Sequence, residues 1–277
     1  MNPSAPASPA RMPVLFAGHG SPMNAIEDNR WSRALRRLGA ELPRPRAVLT
    51  ISAHWYVPGL FTTGAARPET IHDFGGFPRA LHEVRYPAPG DPALARRAAS
   101  LASGAPSIRG AASVSTGWGL DHGTWSVLVH LLPAADVPVV QLSLDARLPP
   151  AAHIGIGRAL ALLRDEGVLI LASGNLVHDL RHALGAVQRG ETATPDWALR
   201  FDTAVARALE ERDESWLAGA LETADGRASH PTPEHFLPLM IALGAAGHRP
   251  RVEHIDAGVD SGVLAMDAYL FWPRQAA

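Results

Sequence analysis

The chain has 277 residues, of which 47% are hydrophobic and 19% charged, and its formal net charge at pH 7 is −2. This composition predicts a sizeable folded core and excludes the basic surface that nucleic-acid-binding proteins carry, so we expect no nucleic-acid partner. The chain contains neither cysteine nor lysine, which excludes thiolate metal sites, disulfides, cysteine nucleophiles and Schiff-base lysines.

Residues 1–11 are rich in proline, alanine and serine and lack an apolar stretch. We therefore expect a flexible N-terminal tail instead of a signal peptide. No apolar run in the sequence approaches the roughly 20 residues that cross a bilayer, so we expect no membrane partner. The absence of cysteine fits a cytoplasmic protein. The sequence carries no signal for a particular oligomeric state.

The predicted strands are apolar, β-branched runs bounded by turn residues. In chain order they are residues 13–17, 47–52, 137–144, 168–172, 252–255 and 263–271. Helical patterns lie between them at residues 31–38, 92–102, 124–132, 151–164, 176–186, 195–211 and 233–246. This alternation predicts a single-domain α/β fold with a central, mostly parallel or mixed sheet flanked by helices. In such folds ligands bind beyond the carboxyl ends of the strands, so we expect the active site there.

Three histidines follow predicted strands and should therefore meet at one edge of the sheet. His19 follows the first strand, His54 ends the second, and His178 is expected in the first turn of the helix after residues 168–172. Each of them alone is more typical of a turn or cap residue. Together they favour a shared site, because three neutral imidazoles can hold a divalent ion while another histidine acts as a general base or acid.

Two further histidines bound the sequence His-Pro-Thr-Pro-Glu-His at residues 230–235, which precedes an apolar helical pattern. Thr232 is a suitable N-cap and Pro233 a suitable first helical residue, which predicts His235 in the first helical turn. The positive end of the helix would favour a neutral imidazole there, and this is the form that binds metal. Alternatively, His230 and His235 are ordinary loop and cap residues.

His122 lies just before a predicted helix, with Asp121 beside it. It is either a group that contacts substrate or a residue that caps the helix. Aromatic side chains occur near the same segments and could form a flat slot for an aromatic ring or simply pack beneath the site; they are Trp55, Phe74, Phe77, Trp118 and Trp125.

Seven ordered sequence blocks resemble the class III extradiol ring-cleavage dioxygenases, in their DOPA 4,5-extradiol dioxygenase-like branch. The blocks are GHGSPMN at 18–24, SAHW at 52–55, DF at 73–74 with GFP at 76–78, YPAPG at 86–90, GLDHGTW at 119–125, GVLI at 167–170 with SG at 173–174, and HPTPEH at 230–235. The resemblance runs from about residue 12 to residue 272. It implies an extradiol dioxygenase-like catalytic domain over residues 12–277, and a reaction in which O2 opens the ring of a small aromatic diol.

The resemblance also implies a metal site. His19, His54 and His235 match the metal ligands, with His230 as the reserve candidate for the third ligand and Glu234 as a carboxylate alternative. Fe(II) is the cofactor implied for activity. Zn(II) could occupy the same histidines, but it is redox-inert and could not serve the oxidation.

Two more histidines gain catalytic roles from the resemblance. His178 matches the general base and acid, and His122 matches a histidine beside the substrate and dioxygen. The expected tyrosines are replaced by other residues at 72, 75 and 82, and Trp118 stands where an arginine is expected. A catechol other than DOPA is therefore an alternative substrate.

Two other functions are compatible with the same residues. A zinc-dependent hydrolase could use the same histidine cluster with a metal-bound hydroxide. A non-catalytic metal-binding relative could keep the ligands without a competent base, although the presence of His178 counts against this.

Overall fold

A single large sheet forms the centre of the computed structural model, which describes residues 11–274. Its strands are β1 (Val14–Gly18), β2 (Ala47–Val57), β3 (Phe61–Thr63), β4 (Ser113–Ser115), β5 (Val139–Asp145), β6 (Val168–Gly174), β7 (Arg251–Ile255) and β10 (Ala268–Trp272). β8 (Val259–Asp260) and β9 (Leu264–Ala265) form a separate two-stranded sheet.

Helices flank this sheet. They are α1 (Arg30–Glu41), α2 (Arg79–His82), α3 (Pro92–Ser103), α4 (His122–Leu131), α5 (Pro150–Leu160), α6 (Leu180–Arg189), α7 (Asp196–Glu211), α8 (Glu214–Gly219), α9 (Ala224–Ser229) and α10 (Leu237–Ala246). Short 3-10 segments lie at Pro22–Ala25, Ala161–Glu166 and Ala220–Glu222. None of the helices within residues 11–274 combines the length and apolarity that a membrane span requires.

The strand order is β4-β3-β5-β2-β6-β1-β10-β7. The four central strands β5, β2, β6 and β1 run parallel, whereas β3 pairs antiparallel with β5 and β10 pairs antiparallel with β1. Buried parallel strands need apolar side chains on both faces, and the burial of every residue of β1, β5 and β6 agrees with that. The predicted single-domain α/β fold with a mixed sheet is confirmed.

β6 lies between β1 and β2, which do not pair with each other. Gly18 of β1 is in register with Gly174 of β6, and Ser52 of β2 is in register with Ser173. Because the three strands are parallel, the residues that follow them emerge at the same edge of the sheet. This topology places the segments after β1 and β6, together with the end of β2, around one point.

β2 is longer than the predicted strand at residues 47–52. Its pairing with β5 is interrupted between Ile51 and Tyr56, and its pairing with β6 ends at Ser52. His54 therefore lies within an irregular part of a strand and not at its end. Such irregularities redirect side chains and are common beside active sites.

Two helices begin later than the sequence pattern indicated. α6 begins at Leu180 because Asp179 caps it, accepting a hydrogen bond from the His182 backbone N–H at 2.9 Å. α10 begins at Leu237, with Pro238 in its first turn, where a proline needs no amide hydrogen. The predictions that His178 and His235 lie in first helical turns are therefore wrong, since both belong to the preceding loops.

Smaller differences concern short elements. The predicted strand at residues 263–271 is divided into β9 and β10. The strands β3, β4 and β8 have only two or three residues and were not predicted, because such short segments show no periodicity. Of the predicted tail, residues 1–10 lie outside the described residues, whereas Arg11 forms an ion pair with Asp165 at 2.9 Å.

α10 is buried along its whole length and packs between the sheet and α5. The buried Arg164 side chain fixes the end of this helix, donating hydrogen bonds to the carbonyl oxygens of Ala245 and Ala246, both at 2.9 Å. The same guanidinium donates to the Met12 carbonyl at 2.7 Å. Arg164 thus connects the C-terminal end of α10 to Met12, two residues before β1.

Candidate metal centre

His19 is held at the end of β1 by two hydrogen bonds to β6. Its backbone N–H donates to the Gly174 carbonyl, and its ring Nδ1 lies 3.0 Å from Ser173 Oγ. The Ser173 hydroxyl donates a hydrogen bond to the Gly123 carbonyl at 2.5 Å, so its oxygen accepts a hydrogen bond from the N–H at His19 Nδ1. This fixes the neutral tautomer in which Nε2 carries the free lone pair, as a metal ligand requires.

His54 meets His19 on the other side of β6. The two Nε2 atoms are 3.0 Å apart. Nitrogen ligands lie about 2.0–2.1 Å from a first-row metal ion, so two of them on one ion at a right angle are separated by about 3 Å. The spacing between His19 and His54 therefore fits a common ion.

Asp73 holds His54 and His122 with one carboxylate. Its Oδ2 lies 3.0 Å from His54 Nδ1, and its Oδ1 lies 3.0 Å from His122 Nδ1. The same Oδ1 accepts a hydrogen bond from the His122 backbone N–H at 2.9 Å. The aspartate therefore orients both rings through their Nδ1 sides. Carboxylates that bind the second nitrogen of a metal-ligating histidine orient the ring in this way.

The nitrogens of His19, His54 and His122 lie within 4.8 Å of one another and form a group that could hold a metal ion. His235 lies beside this group, with its ring centroid 5.3 Å from that of His19 and 5.3 Å from that of His54. Its buried Nε2 has no hydrogen-bond partner among the described residues. A buried imidazole nitrogen without a partner is costly unless something binds it, and a metal ion would satisfy it.

At two points in this site, backbone segments from different parts of the chain lie close together. The His235 carbonyl accepts a hydrogen bond from the Asn175 N–H at 2.9 Å, directly after β6. At Gly123, in the first turn of α4, an added Cβ would contact Ser52 Oγ and would lie 2.9 Å from the His54 ring. Only glycine allows α4 to approach the two histidine-bearing strands so closely.

His178 covers the cluster from the side of α6. Its ring stacks on that of His235, with centroids 3.4 Å apart and an interplanar angle of 4°. Both rings line an open cavity of about 550 Å³, together with residues from the start of α6 and from the loop before α10. The predicted base therefore lies between the histidine cluster and a space that is accessible to a small molecule.

Burial determines the charge of most of these rings. Burial, followed by the neighbouring histidines, holds the pKa values of His19 and His235 well below the ordinary value for histidine. For His178, burial and the charge of His54 lower the pKa to about 4. These three rings are consequently neutral at pH 7 and can bind a metal or accept a proton.

Asp73 accounts for the different behaviour of His54. Burial opposes protonation of His54, but the hydrogen bond to Asp73 and the nearby carboxylates outweigh it, so the pKa of His54 is raised. Burial also opposes ionisation of Asp73, but its contacts with His122 and His54 prevail and lower its pKa. The carboxylate is therefore ionised and available to orient both histidines.

The two reserve candidates for the third ligand, His230 and Glu234, lie behind and beside His235. His230 Nε2 is 2.8 Å from the Leu176 carbonyl, and its ring packs against Phe201 and Phe236. The Glu234 carboxylate accepts a hydrogen bond from the Thr232 hydroxyl at 2.9 Å and lies 3.2 Å from His235 Nδ1. Glu234 is thus placed to orient His235 from its Nδ1 side, and His230 is placed in the core behind it.

The aromatic residues that were predicted to lie near the site occupy three separate positions. Phe74 faces His122, with ring centroids 5.4 Å apart, and Trp55 stacks on Trp118 with centroids 5.5 Å apart. Trp125 is fully buried and donates from Nε1 to the Ile71 carbonyl at 2.7 Å. Of these, Phe74 is next to the histidine cluster, while Trp125 packs beneath it.

Asp73, Ser173 and Asn175 contribute to the site, although no role was predicted for them from the sequence. Ser173 and Asn175 follow the predicted strand at residues 168–172, so their position at the active edge could have identified them. Asp73 lies in the long loop between β3 and α2, and local sequence carries no signal for its contact with His54.

Comparison with known proteins agrees with this geometry. Residues 14–265 match the family described as the catalytic LigB subunit of aromatic ring-opening dioxygenase. The chain is 45% identical over 263 residues to a protein of Escherichia coli K12 named 4,5-DOPA dioxygenase extradiol, covering 94% of both chains. It is 38% identical over 264 residues to a protein of Beta vulgaris with the same name, covering 93% of this chain and 96% of the relative.

A solved structure shares the fold as well. The crystal structure of an uncharacterised protein of Escherichia coli K12 superposes with a TM-score of 0.79 at 39% sequence identity, covering 94% of this chain and all of the other. Fold, sequence and the histidine cluster thus agree with one another. The chain belongs to the LigB family of class III extradiol dioxygenases, and it is an aromatic ring-opening dioxygenase.

Proposed function

We propose that this enzyme uses O2 to open the ring of a small catechol, with His178 as the general base and acid. The observation that carries the proposal is the convergence of His19, His54 and the unpartnered Nε2 of His235, with His178 stacked between this cluster and an open cavity. The names of the relatives support a DOPA-like substrate, although other small catechols fit the same description.

His19, His54 and His235 would hold the metal, because two of them have their Nδ1 sides directed to Ser173 and Asp73 and the third has a buried nitrogen to satisfy. Fe(II) is the proposed ion. When bound, it would supply the electron transfer between catechol and dioxygen that no amino-acid side chain provides. Zn(II) suits the same imidazoles but would leave the enzyme inactive, since it is redox-inert.

His178 is suited to proton transfer. Its ring is neutral at pH 7 because burial lowers its pKa to about 4, so it can accept a phenolic proton from the diol and return it later. Stacking on His235 keeps the ring in place at the wall of the cavity. His122 is proposed to lie beside the substrate and dioxygen, with Asp73 fixing its orientation.

Neither alternative function is favoured by the comparisons. The relatives from Escherichia coli and Beta vulgaris are both named as dioxygenases and not as hydrolases. A non-catalytic metal-binding protein would not need His178 at the cavity wall.

A cytoplasmic location remains a prediction that rests on the absence of cysteine.

Oxygen consumption tests the proposal. Protein reconstituted with Fe(II) under anaerobic conditions should consume O2 when a catechol is added, with one O2 used per ring opened and a new visible absorbance from the product. The Zn(II)-loaded protein serves as the control and should consume none. Absence of O2 uptake with every member of a catechol panel would refute the proposed function.

A single variant tests the role of His178. We expect H178A to retain its bound metal, because His178 is not among the proposed ligands, and to lose turnover by about 10²–10⁴-fold, as is usual when a general base is removed. His182 on α6, whose ring packs on Trp197, offers a matched control, and H182A should retain activity. Unchanged turnover in H178A would contradict its assignment as the base.

A further inference from the structure

The cavity beside His178 is larger than a catechol ring requires, and its lining is charged. At about 550 Å³ it falls within the usual range for small-molecule sites. Three ionisable side chains line it besides the two histidines, namely Asp179, Arg181 and Glu234. A catechol whose ring lies near His178 would extend any ring substituent into this charged space.

Arg181 is available to bind a ligand. It lies in the first turn of α6, and its side chain forms no hydrogen bond or ion pair with any residue between 11 and 274. By contrast, Arg189 at the other end of the helix is paired with Glu191 at 2.8 Å. A guanidinium group without a protein partner at a cavity wall is well shaped to bind a carboxylate through two parallel hydrogen bonds.

The two acidic residues of the cavity differ in whether a carboxylate oxygen is free to bind a ligand. Glu234 already contacts the Thr232 hydroxyl and the His235 ring through Oε1. Only Oδ1 of Asp179 forms a hydrogen bond to a described residue: it caps α6 by accepting a hydrogen bond from the His182 backbone N–H. Its second oxygen makes no hydrogen bond to any described residue, so Asp179 can still bind a cation.

From this arrangement we propose that Arg181 and Asp179 form a subsite for an amino-acid side chain on the catechol, with Arg181 binding its carboxylate and Asp179 its ammonium group. The inference rests on the proposed function, since it places the diol near His178. A side chain that carries only a carboxylate fits less well, because the cavity contains two acids and one arginine. A zwitterionic side chain matches both signs of charge.

Four catechols distinguish the contact of Arg181 with a carboxylate from that of Asp179 with an ammonium group. L-DOPA carries both charged groups, 3-(3,4-dihydroxyphenyl)propionate only the carboxylate, dopamine only the ammonium group, and 4-methylcatechol neither. The measured quantity is the ratio of kcat/KM for each charged catechol to that for 4-methylcatechol. In R181Q this ratio should fall by about 10–100-fold for L-DOPA and for the propionate, as expected when a charge-assisted pair is lost. R181K should restore part of it.

D179N tests the second contact. Asparagine can still cap α6, so the helix is retained while the charge is removed. The ratios for L-DOPA and dopamine should fall by about 3–10-fold, whereas that for the propionate should not fall. R189Q, on the same helix but far from the cavity, is the matched control and should keep the wild-type ratios. Ratios for R181Q within about twofold of wild type would overturn the proposal, as would an equal loss for all four catechols.

Binding to the Zn(II)-loaded protein separates this inference from the proposed function. This form should bind catechols without turnover, so the ratio of the dissociation constants for L-DOPA and 4-methylcatechol can be measured directly by calorimetry. Failure of O2 uptake with every catechol would refute the proposed function alone. An L-DOPA preference that is equal in wild type and R181Q would refute the subsite, whatever the oxygen assay shows.

Discussion

Asp73 is the residue on which the orientation of the cluster depends most. One carboxylate faces both His54 and His122, and each contact leaves the far nitrogen of the ring free to face the centre. Ser173 does the same for His19, and Glu234 lies at the corresponding side of His235. Every ring proposed as a ligand thus has an oxygen atom at Nδ1, the usual arrangement around a protein-bound metal.

The third ligand can be identified by substitution, because both His122 and His235 lie next to the pair formed by His19 and His54. We expect H235A to lose metal affinity by more than about 100-fold, since a three-ligand site becomes a two-ligand site. H122A should keep its metal and lose turnover. Competition with a chelator measures the affinity, and the reverse pattern would make His122 the ligand.

At the scale of elements, the close approach of α4 to β1 and β2 limits what the site can tolerate. In G123A the new methyl group would contact Ser52 and the His54 ring. Such overpacking costs about 1–3 kcal/mol, so we expect a lower free energy of unfolding together with weaker metal binding. Urea unfolding and metal titration measure the two effects.

Gly155 in α5 provides the matched control for this substitution, since an added Cβ there would contact nothing within 4 Å. G155A should stabilise the protein by about 0.5–1 kcal/mol, because alanine restricts the unfolded chain more than glycine does. Equal stability of G123A and wild type would show that α4 can move away from the histidines without cost.

The sequence predicted the central elements well because buried strands and amphipathic helices are recorded in local periodicity. His19 could be located from its position after β1, and the position after β6 pointed to His178. The starts of α6 and α10 were misplaced since capping by Asp179 and the position of Pro238 decide them. Asp73 begins one of the resembling sequence blocks, but its role could not be predicted, because its contacts with His54 and His122 form only when a distant loop folds over the sheet.

At the scale of the whole molecule, a second group of ionisable residues should make stability depend on pH. Asp202 on α7 has a partly enclosed side chain, and burial, followed by the charge of Asp267, raises its pKa to about 6. Between about pH 4 and pH 6 the folded protein therefore holds a proton that the unfolded chain has lost. Under these conditions the free energy of unfolding decreases as the pH rises.

Replacing Asp202 with asparagine removes this dependence. We expect the metal-free D202N protein to be more stable than metal-free wild type at pH 7, by at most about 3 kcal/mol, with the difference disappearing near pH 4. Urea unfolding at several pH values measures it. E222Q, which changes a highly exposed carboxylate, is the control. A stability difference that is the same at pH 4 and pH 7 would contradict the raised pKa.

The position of β6 between β1 and β2 also bears on how the enzyme matures during translation. A nascent chain that ends before Val168 already contains His19 and His54, but it lacks the strand that spaces them and the serine that orients one of them. His235 is synthesised later still. With His19, His54 and the proposed ligand His235, the metal site would be complete only after the ribosome has made most of the polypeptide, and early fragments would lack it.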